Sequence, residues 1–149
     1  MSIYGVVIEE ESEDYHACHF QCNDKKIIFR KSKITPKKIG QFVTLWKRNQ
    51  NGIIEPFSFS DSFNFCIIET IVKNKIGYFL FTKEILNEQG ILSGKHEGKR
   101  GFRIYPTWDQ PNNKQGNVTQ KWQSPFFITW SDHQIEKKEI IANFDRIFE

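Results

Sequence analysis

Apolar and polar positions alternate along this chain in two different periods. The stretches 15–22 and 26–34 mix them at the short period of half-buried strands, and the polar Asn23-Asp24-Lys25 between them has hairpin-turn chemistry, so they read as an antiparallel pair. Thr35 and Pro36 then offer a helix N-cap and a first-turn proline. Ile39, Phe42, Val43 and Trp46 follow at i, i+3, i+4 and i+7, which predicts a helix over 36–48 with Trp46 in the core and Lys37, Gln41, Thr44 and Arg48 on its wet side. After Asn51-Gly52 a Phe-rich loop leads into 63–72 and 76–81, a second hairpin about Lys73-Asn74-Lys75. Both of its strands are apolar on both faces, the pattern of strands central in a sheet. Thr82 caps a short helix at 83–89 that Gly90 closes, and 101–105 reads as a strand ended by Pro106. Residues 109–117 form a polar loop, 119–123 a short helix stopped by Pro125, and 126–130 a last strand. Ile140, Ile141, Phe144, Ile147 and Phe148 mark an amphipathic helix at the C-terminal end. This order predicts an α+β protein with a mixed central sheet and helices packed on it. No repeat or linker divides the 149 residues, so they form a single domain, 1–149.

Composition narrows the class. At 38% hydrophobic and 26% charged, with 14 Phe, 4 Trp and 4 Tyr, the chain has the makings of one packed core, which excludes disorder and collagen-like repeats. It has no apolar run long enough to span a membrane, and its N-terminus runs from Met1 straight into acid with no basic leader, so a cytoplasmic location and no membrane partner are expected. Three cysteines cannot all pair within one chain, and no disulfide partner is expected. The net charge of +3 conceals a segregation. Residues 1–24 carry six acids and no base, 25–48 nine bases and no acid, and 95–121 six bases against two acids. Two basic segments that converged on folding would form a face attractive to polyanions.

Three runs resemble a known family: Phe29-Arg30-Lys31-Ser32-Lys33-Ile34-Thr35-Pro36-Lys37-Lys38-Ile39-Gly40-Gln41-Phe42-Val43-Thr44-Leu45-Trp46-Lys47-Arg48, then Glu97-Gly98-Lys99-Arg100-Gly101-Phe102-Arg103-Ile104-Tyr105-Pro106-Thr107-Trp108-Asp109, then Thr119-Gln120-Lys121-Trp122-Gln123. Together with Glu11-Ser12-Glu13-Asp14-Tyr15 they look like the signature of the MepB family, in the right order and over nearly the whole chain. The chain departs from that signature at Val118, where a basic residue is usual, and in a short N-terminus where relatives carry an additional helix. What the resemblance implies is mainly a fold, the restriction-endonuclease-like PD-(D/E)XK architecture. Its chemistry needs a carboxylate on one strand and an acid two places before a lysine on the next, so that two acids hold Mg²⁺.

The residues at that place do not supply it. Arg30 or Lys31 stands where the resemblance would put the second acid, and a cation there repels Mg²⁺ while still attracting phosphate. Acid-x-Lys occurs at 24–26, 97–99 and 136–138, against roughly two occurrences expected by chance, so the count decides nothing. Glu13, Asp14, Asp61 and Glu69, with Lys33 as a cationic partner, are the weak catalytic candidates, Glu69 because it interrupts an apolar strand. His16, Cys18, His19 and Cys22 are close in sequence, but on a strand His19 faces away from the other three, so no metal site is expected.

The expectation is therefore a nucleic-acid-binding protein on a degenerate nuclease scaffold, non-catalytic, favouring single strands, with DNA a better partner than RNA. It needs no cofactor. The alternatives are a Mg²⁺- or Mn²⁺-dependent nuclease with a migrated carboxylate and a protein-interaction module. Lys31, Lys33, Lys37, Lys38, Arg48, Lys99, Arg100, Arg103, Lys114 and Lys121 are the candidate phosphate contacts, Trp108 and Trp122 the candidate stacking platforms, and Gln120, with Gln123, a candidate for base edges.

Overall fold

The computed structural model describes residues 3–131; the helix expected at the C-terminal end lies outside the described residues. In chain order the strands are β1 (Ile3–Ile8), β2 (Cys18–Cys22), β3 (Lys25–Lys31), β4 (Lys33–Ile34), β5 (Gln41–Thr44), β6 (Trp46–Arg48), β7 (Ile54–Pro56), β8 (Phe65–Val72) and β9 (Lys75–Thr82). Helix α1 (Lys83–Glu88), β10 (Gly101–Ile104), helix α2 (Lys114–Gln123) and β11 (Phe127–Ser131) complete the chain, with short 3₁₀ turns at Glu10–Tyr15 and Ser124–Phe126. The central sheet runs β1-β2-β3-β8-β9-β11, mixed as expected: β3 and β8 are parallel and every other neighbouring pair is antiparallel.

Both expected hairpins form. Asn23 and Asp24 take positive φ of 49° and 65°, the left-handed pair that matches the twist of a two-residue hairpin, and Asn and Asp tolerate it best after glycine. Lys73 plays the same part between β8 and β9, at φ 54°. The parallel partners β3 and β8 cannot be joined by a tight turn, so the chain crosses over between them. That crossover carries β4 and β5, which join β10 in a second sheet of order β10-β5-β4, and the small β6–β7 hairpin. The main core lies between the two sheets. Ile28, Cys66, Ile68, Phe79 and Phe81 from the large sheet meet Val43, Leu45, Phe102 and Ile104 from the small sheet, with Leu86, Ile91 and Leu92 closing the side. The opposite face of the large sheet holds Cys22, Ile27, Ile67 and Leu80. β8 is thus buried on both faces, as its unbroken apolar pattern implied.

The helix expected over 36–48 is not formed. Residues 36–40 are a turn, followed by β5 and β6, so the basic residues read as its wet face lie instead on a turn and two strands. Along β5 and on to Leu45 the burial alternates: Gln41, Val43 and Leu45 are buried while Phe42 and Thr44 are half-exposed. A helical stripe was read because the buried Gln41 breaks the apolar alternation that marks a strand. Ser32 explains how an amide is accommodated there, since its hydroxyl donates to Gln41 Oε1 at 2.7 Å. Trp46 is half-buried on β6, with Arg48 5.6 Å from its ring, and is not part of the core. The polar loop is shorter than expected, because Asn113 caps α2 by accepting from the Gly116 N–H, so the helix starts at Lys114. A strand at 3–8 and the β6–β7 hairpin were not anticipated.

Candidate functional site

The pairing of β10 with β5 brings the two basic segments together. Gly101 lies opposite Thr44 and Arg103 opposite Phe42, while Lys33 of β4 faces Phe42 from the other side. One face of this small sheet therefore carries Lys33, Phe42 and Arg103 in a row. Gly101 is required beneath it: a Cβ there would lie 2.6 Å from the Phe42 ring. Arg103 donates to the Thr35 hydroxyl and, at 3.3 Å, to the Ile39 carbonyl, which fastens the 35–39 turn to β10. Gly40 ends that turn at φ 85°, and a Cβ would come within 2.8 Å of the Ile104 carbonyl and the Tyr105 ring. Lys37 itself sits at φ 66°, so the turn presents Lys37 and Lys38, both exposed, in a fixed place.

These elements and α2 enclose a cleft of about 610 Å³. Lys37, Lys38, Lys99 and Arg103 line it, and among the described residues no carboxylate does. Phe42, Phe102, Tyr105 and Trp122 supply aromatic surface. The near face of α2 contributes Gln115, Val118, Thr119 and Trp122, at i, i+3, i+4 and i+7. Trp122 serves both core and cleft: its ring is 5.4 Å from Phe81 and packs on the main core, yet it is only half-buried. The amide of Gln123 is fully buried and bridges α2 to β10, accepting from Tyr105 N at 2.8 Å and donating to the Arg103 carbonyl at 2.9 Å.

Other basic candidates are committed elsewhere. The acidic N-terminal segment folds against the basic one, with Glu9 on Arg30 at 2.8 Å, Asp14 on Lys33 at 3.3 Å and Glu11 on Arg48. Lys47 is held by Asp61 at 2.6 Å. Lys37, Lys38 and Lys99 form no ion pair among the described residues, so their charge is free to act in the cleft. Arg100, Lys114 and Lys121 are exposed but do not line it, and Lys31 is half-buried at the end of β3, in register with Glu69. Trp108 lies outside the cleft, edge-on to Phe127 at 5.4 Å with Lys75 5.9 Å from its ring. Gln120 donates its amide hydrogens to the Pro106 and Asp109 carbonyls and so braces a turn.

Asp14, Asp61, Glu69 and Lys33, among the weak catalytic candidates, do not converge on one point. Asp61 accepts from the Ser58 N–H and Lys47, Glu69 accepts from the Tyr78 hydroxyl at 2.7 Å, and Lys33 pairs with Asp14. Burial and the Glu69 hydrogen bond push the Tyr78 hydroxyl well above its ordinary pKa. Among the described residues no group of three or more His, Cys, Asp or Glu side chains is placed to hold a metal ion. None of the three cysteines is joined in a disulfide, and burial pushes the Cys66 thiol up to about 12. No described helix is long and apolar enough to cross a membrane. Phe42, Tyr105, Gln89, Asn112 and Gln115 are cleft residues that sequence reasoning did not single out. For Phe42 the signal was present, since it stands two residues after Gly40 in the most basic run of the chain, but its spacing from Ile39 and Trp46 disguised it as core.

A family model described as MepB-like matches residues 9–129. The crystal structure of MepB is similar to this one with a TM-score of 0.83 and 35% sequence identity, over 90% of this chain and 89% of that one. No curated protein matches the chain.

Proposed function

We propose that this chain, which belongs to the MepB-like family, is a nucleic-acid-binding protein that favours single strands and does not cut them. The observation that carries this reading is the cleft beside β10, where four cations from two distant segments face one volume and, among the described residues, no carboxylate does. Phosphate contacts position a strand through lysine and arginine, and aromatic surface stacks on bases only when these are unpaired, so the combination suits single strands better than a duplex. A metal-dependent nuclease needs hard oxygen ligands converging on one point. Asp61 and Glu69 instead have their own partners, which supports binding without a metal cofactor. Kinship with restriction-endonuclease-like nucleases, a cytoplasmic location and DNA as the better partner are parts of the same proposal.

The test is a binding and cleavage assay on labelled single- and double-stranded DNA and RNA, with and without Mg²⁺ or Mn²⁺. Retention of single strands without cleavage is the expected result. Turnover that is lost in Glu69→Gln or Asp61→Asn would replace this reading with the nuclease. One observation favours a protein-interaction role instead: β1 is exposed throughout, with Ile8 at 76%. Such a role would show as capture of a protein partner that persists at high salt.

A further inference from the structure

We infer that the cleft is a one-nucleotide pocket: it holds a single nucleoside phosphate unit, base against the aromatic floor and phosphate on the lysines, so that free mononucleotides occupy it too. The inference rests on the nucleic-acid reading and narrows it to a ligand class. Size is the first argument. A volume of about 610 Å³ falls within the range of about 300–1,000 Å³ typical of pockets that bury one small molecule, which matches a nucleotide-sized ligand.

Chemistry is the second argument. The lining divides into three functions that a nucleotide needs together. Lys37, Lys38 and Lys99 are exposed and unpaired among the described residues, which suits the phosphate. Phe42 and Trp122 are half-buried, leaving ring surface for a base. Gln89, Asn112 and Gln115 make no side-chain hydrogen bond among the described residues, so their amides can meet a base edge or a sugar hydroxyl. Arg103 has a different part. Two of its five donors are engaged by Thr35 and Ile39, so it fixes the Lys37–Lys38 turn while its remaining donors can face the phosphate. A bare phosphate would use only the first set and a nucleoside only the others.

The test is displacement of a fluorescent single-stranded oligonucleotide from the full chain by a 5′-mononucleotide, by the corresponding nucleoside and by inorganic phosphate, at one ionic strength. The mononucleotide should displace the strand, with nucleoside and phosphate each weaker by about tenfold or more, the factor that one base–aromatic stack provides. Changing Lys37, Lys38 and Lys99 together to Ala, all exposed and so without consequence for folding, should weaken mononucleotide and strand alike. A strand that binds but resists displacement by mononucleotide overturns the inference and leaves the nucleic-acid reading intact, as does equal displacement by phosphate. If the mononucleotide binds and strands do not, the pocket stands and the strand-binding reading fails. If neither binds, both fail.

Discussion

Replacing Gln123 by Met would test how the two walls of the cleft are held together. β10 is an edge strand of the small sheet, and on its free side the Arg103 carbonyl and the Tyr105 N–H, two residues apart, are met by the Gln123 amide in the way a neighbouring strand would meet them. Met fills nearly the same volume, so little is lost in packing. What is lost is the pairing of two backbone groups around a side chain with no solvent exposure. Leaving each group unsatisfied costs about 1–3 kcal/mol, hence about 2–6 kcal/mol for the pair. At about 2–4 °C per kcal/mol for a chain of this size, Tm should fall by about 4–24 °C. Thermal unfolding followed by circular dichroism reads this directly, with Gln120→Met as control. Gln120 is only half-buried and its carbonyl partners can turn to water, so the control should lose much less. If Gln123→Met melts with the wild type, or no lower than the control, the amide is not what joins α2 to β10.

Gly40→Ala should displace the 35–39 turn, because the residue is at φ 85° and its Cβ would meet the Ile104 carbonyl at 2.8 Å; about 1–3 kcal/mol of stability and a marked loss of nucleic-acid affinity are expected in denaturant and binding titrations, and unchanged affinity would contradict the placement of the turn. Native protein should expose one slowly reacting thiol, Cys18, to a thiol reagent, and all three only after unfolding, since Cys22 and Cys66 are fully buried and the Cys66 thiol is pushed up to about 12; rapid labelling of Cys66 in the native state would be the contrary result. Tyr78 keeps its proton in the fold at pH values where the unfolded chain, with a tyrosine pKa of about 10, loses it, so stability present below about pH 10 should decline above it; Tyr78→Phe should flatten that decline in unfolding measured across alkaline pH.

Local chemistry was legible where one residue type decides the geometry. Asn23-Asp24 and Lys73-Asn74 turned as their composition required, Thr82 capped α1, and the two-sided apolar pattern of β8 put it in the middle of the sheet. The helix over 36–48 failed because two patterns competed in the same residues. Ile39, Phe42, Val43 and Trp46 satisfy a helical stripe, whereas the strand alternation of Gln41, Val43 and Leu45 is hidden by a polar residue whose acceptor, Ser32, lies nine positions away. Convergence of the basic segments could be anticipated from charge segregation. Which cations stay free could not, since that depends on the acidic segment folding onto Arg30, Lys33 and Arg48 and leaving Lys37, Lys38 and Lys99. Gln123 shows the same limit. Its amide was read as a reader of bases, and only the approach of β10 to α2 turns it into a brace.

The most direct measurement on the central claim is the salt dependence of single-strand binding by the wild type and by the variant with Lys37, Lys38 and Lys99 all changed to Ala. Each phosphate contact displaces condensed counterion and contributes about 0.7 to the magnitude of the slope of log affinity against log salt on single strands. If the cleft is the binding site, removing these three cations should lower affinity at low salt and reduce the slope by about 0.7, the share of the one phosphate they hold, with Tm unchanged because all three side chains are exposed. Wild-type affinity and slope in the variant would mean that the strand is held elsewhere.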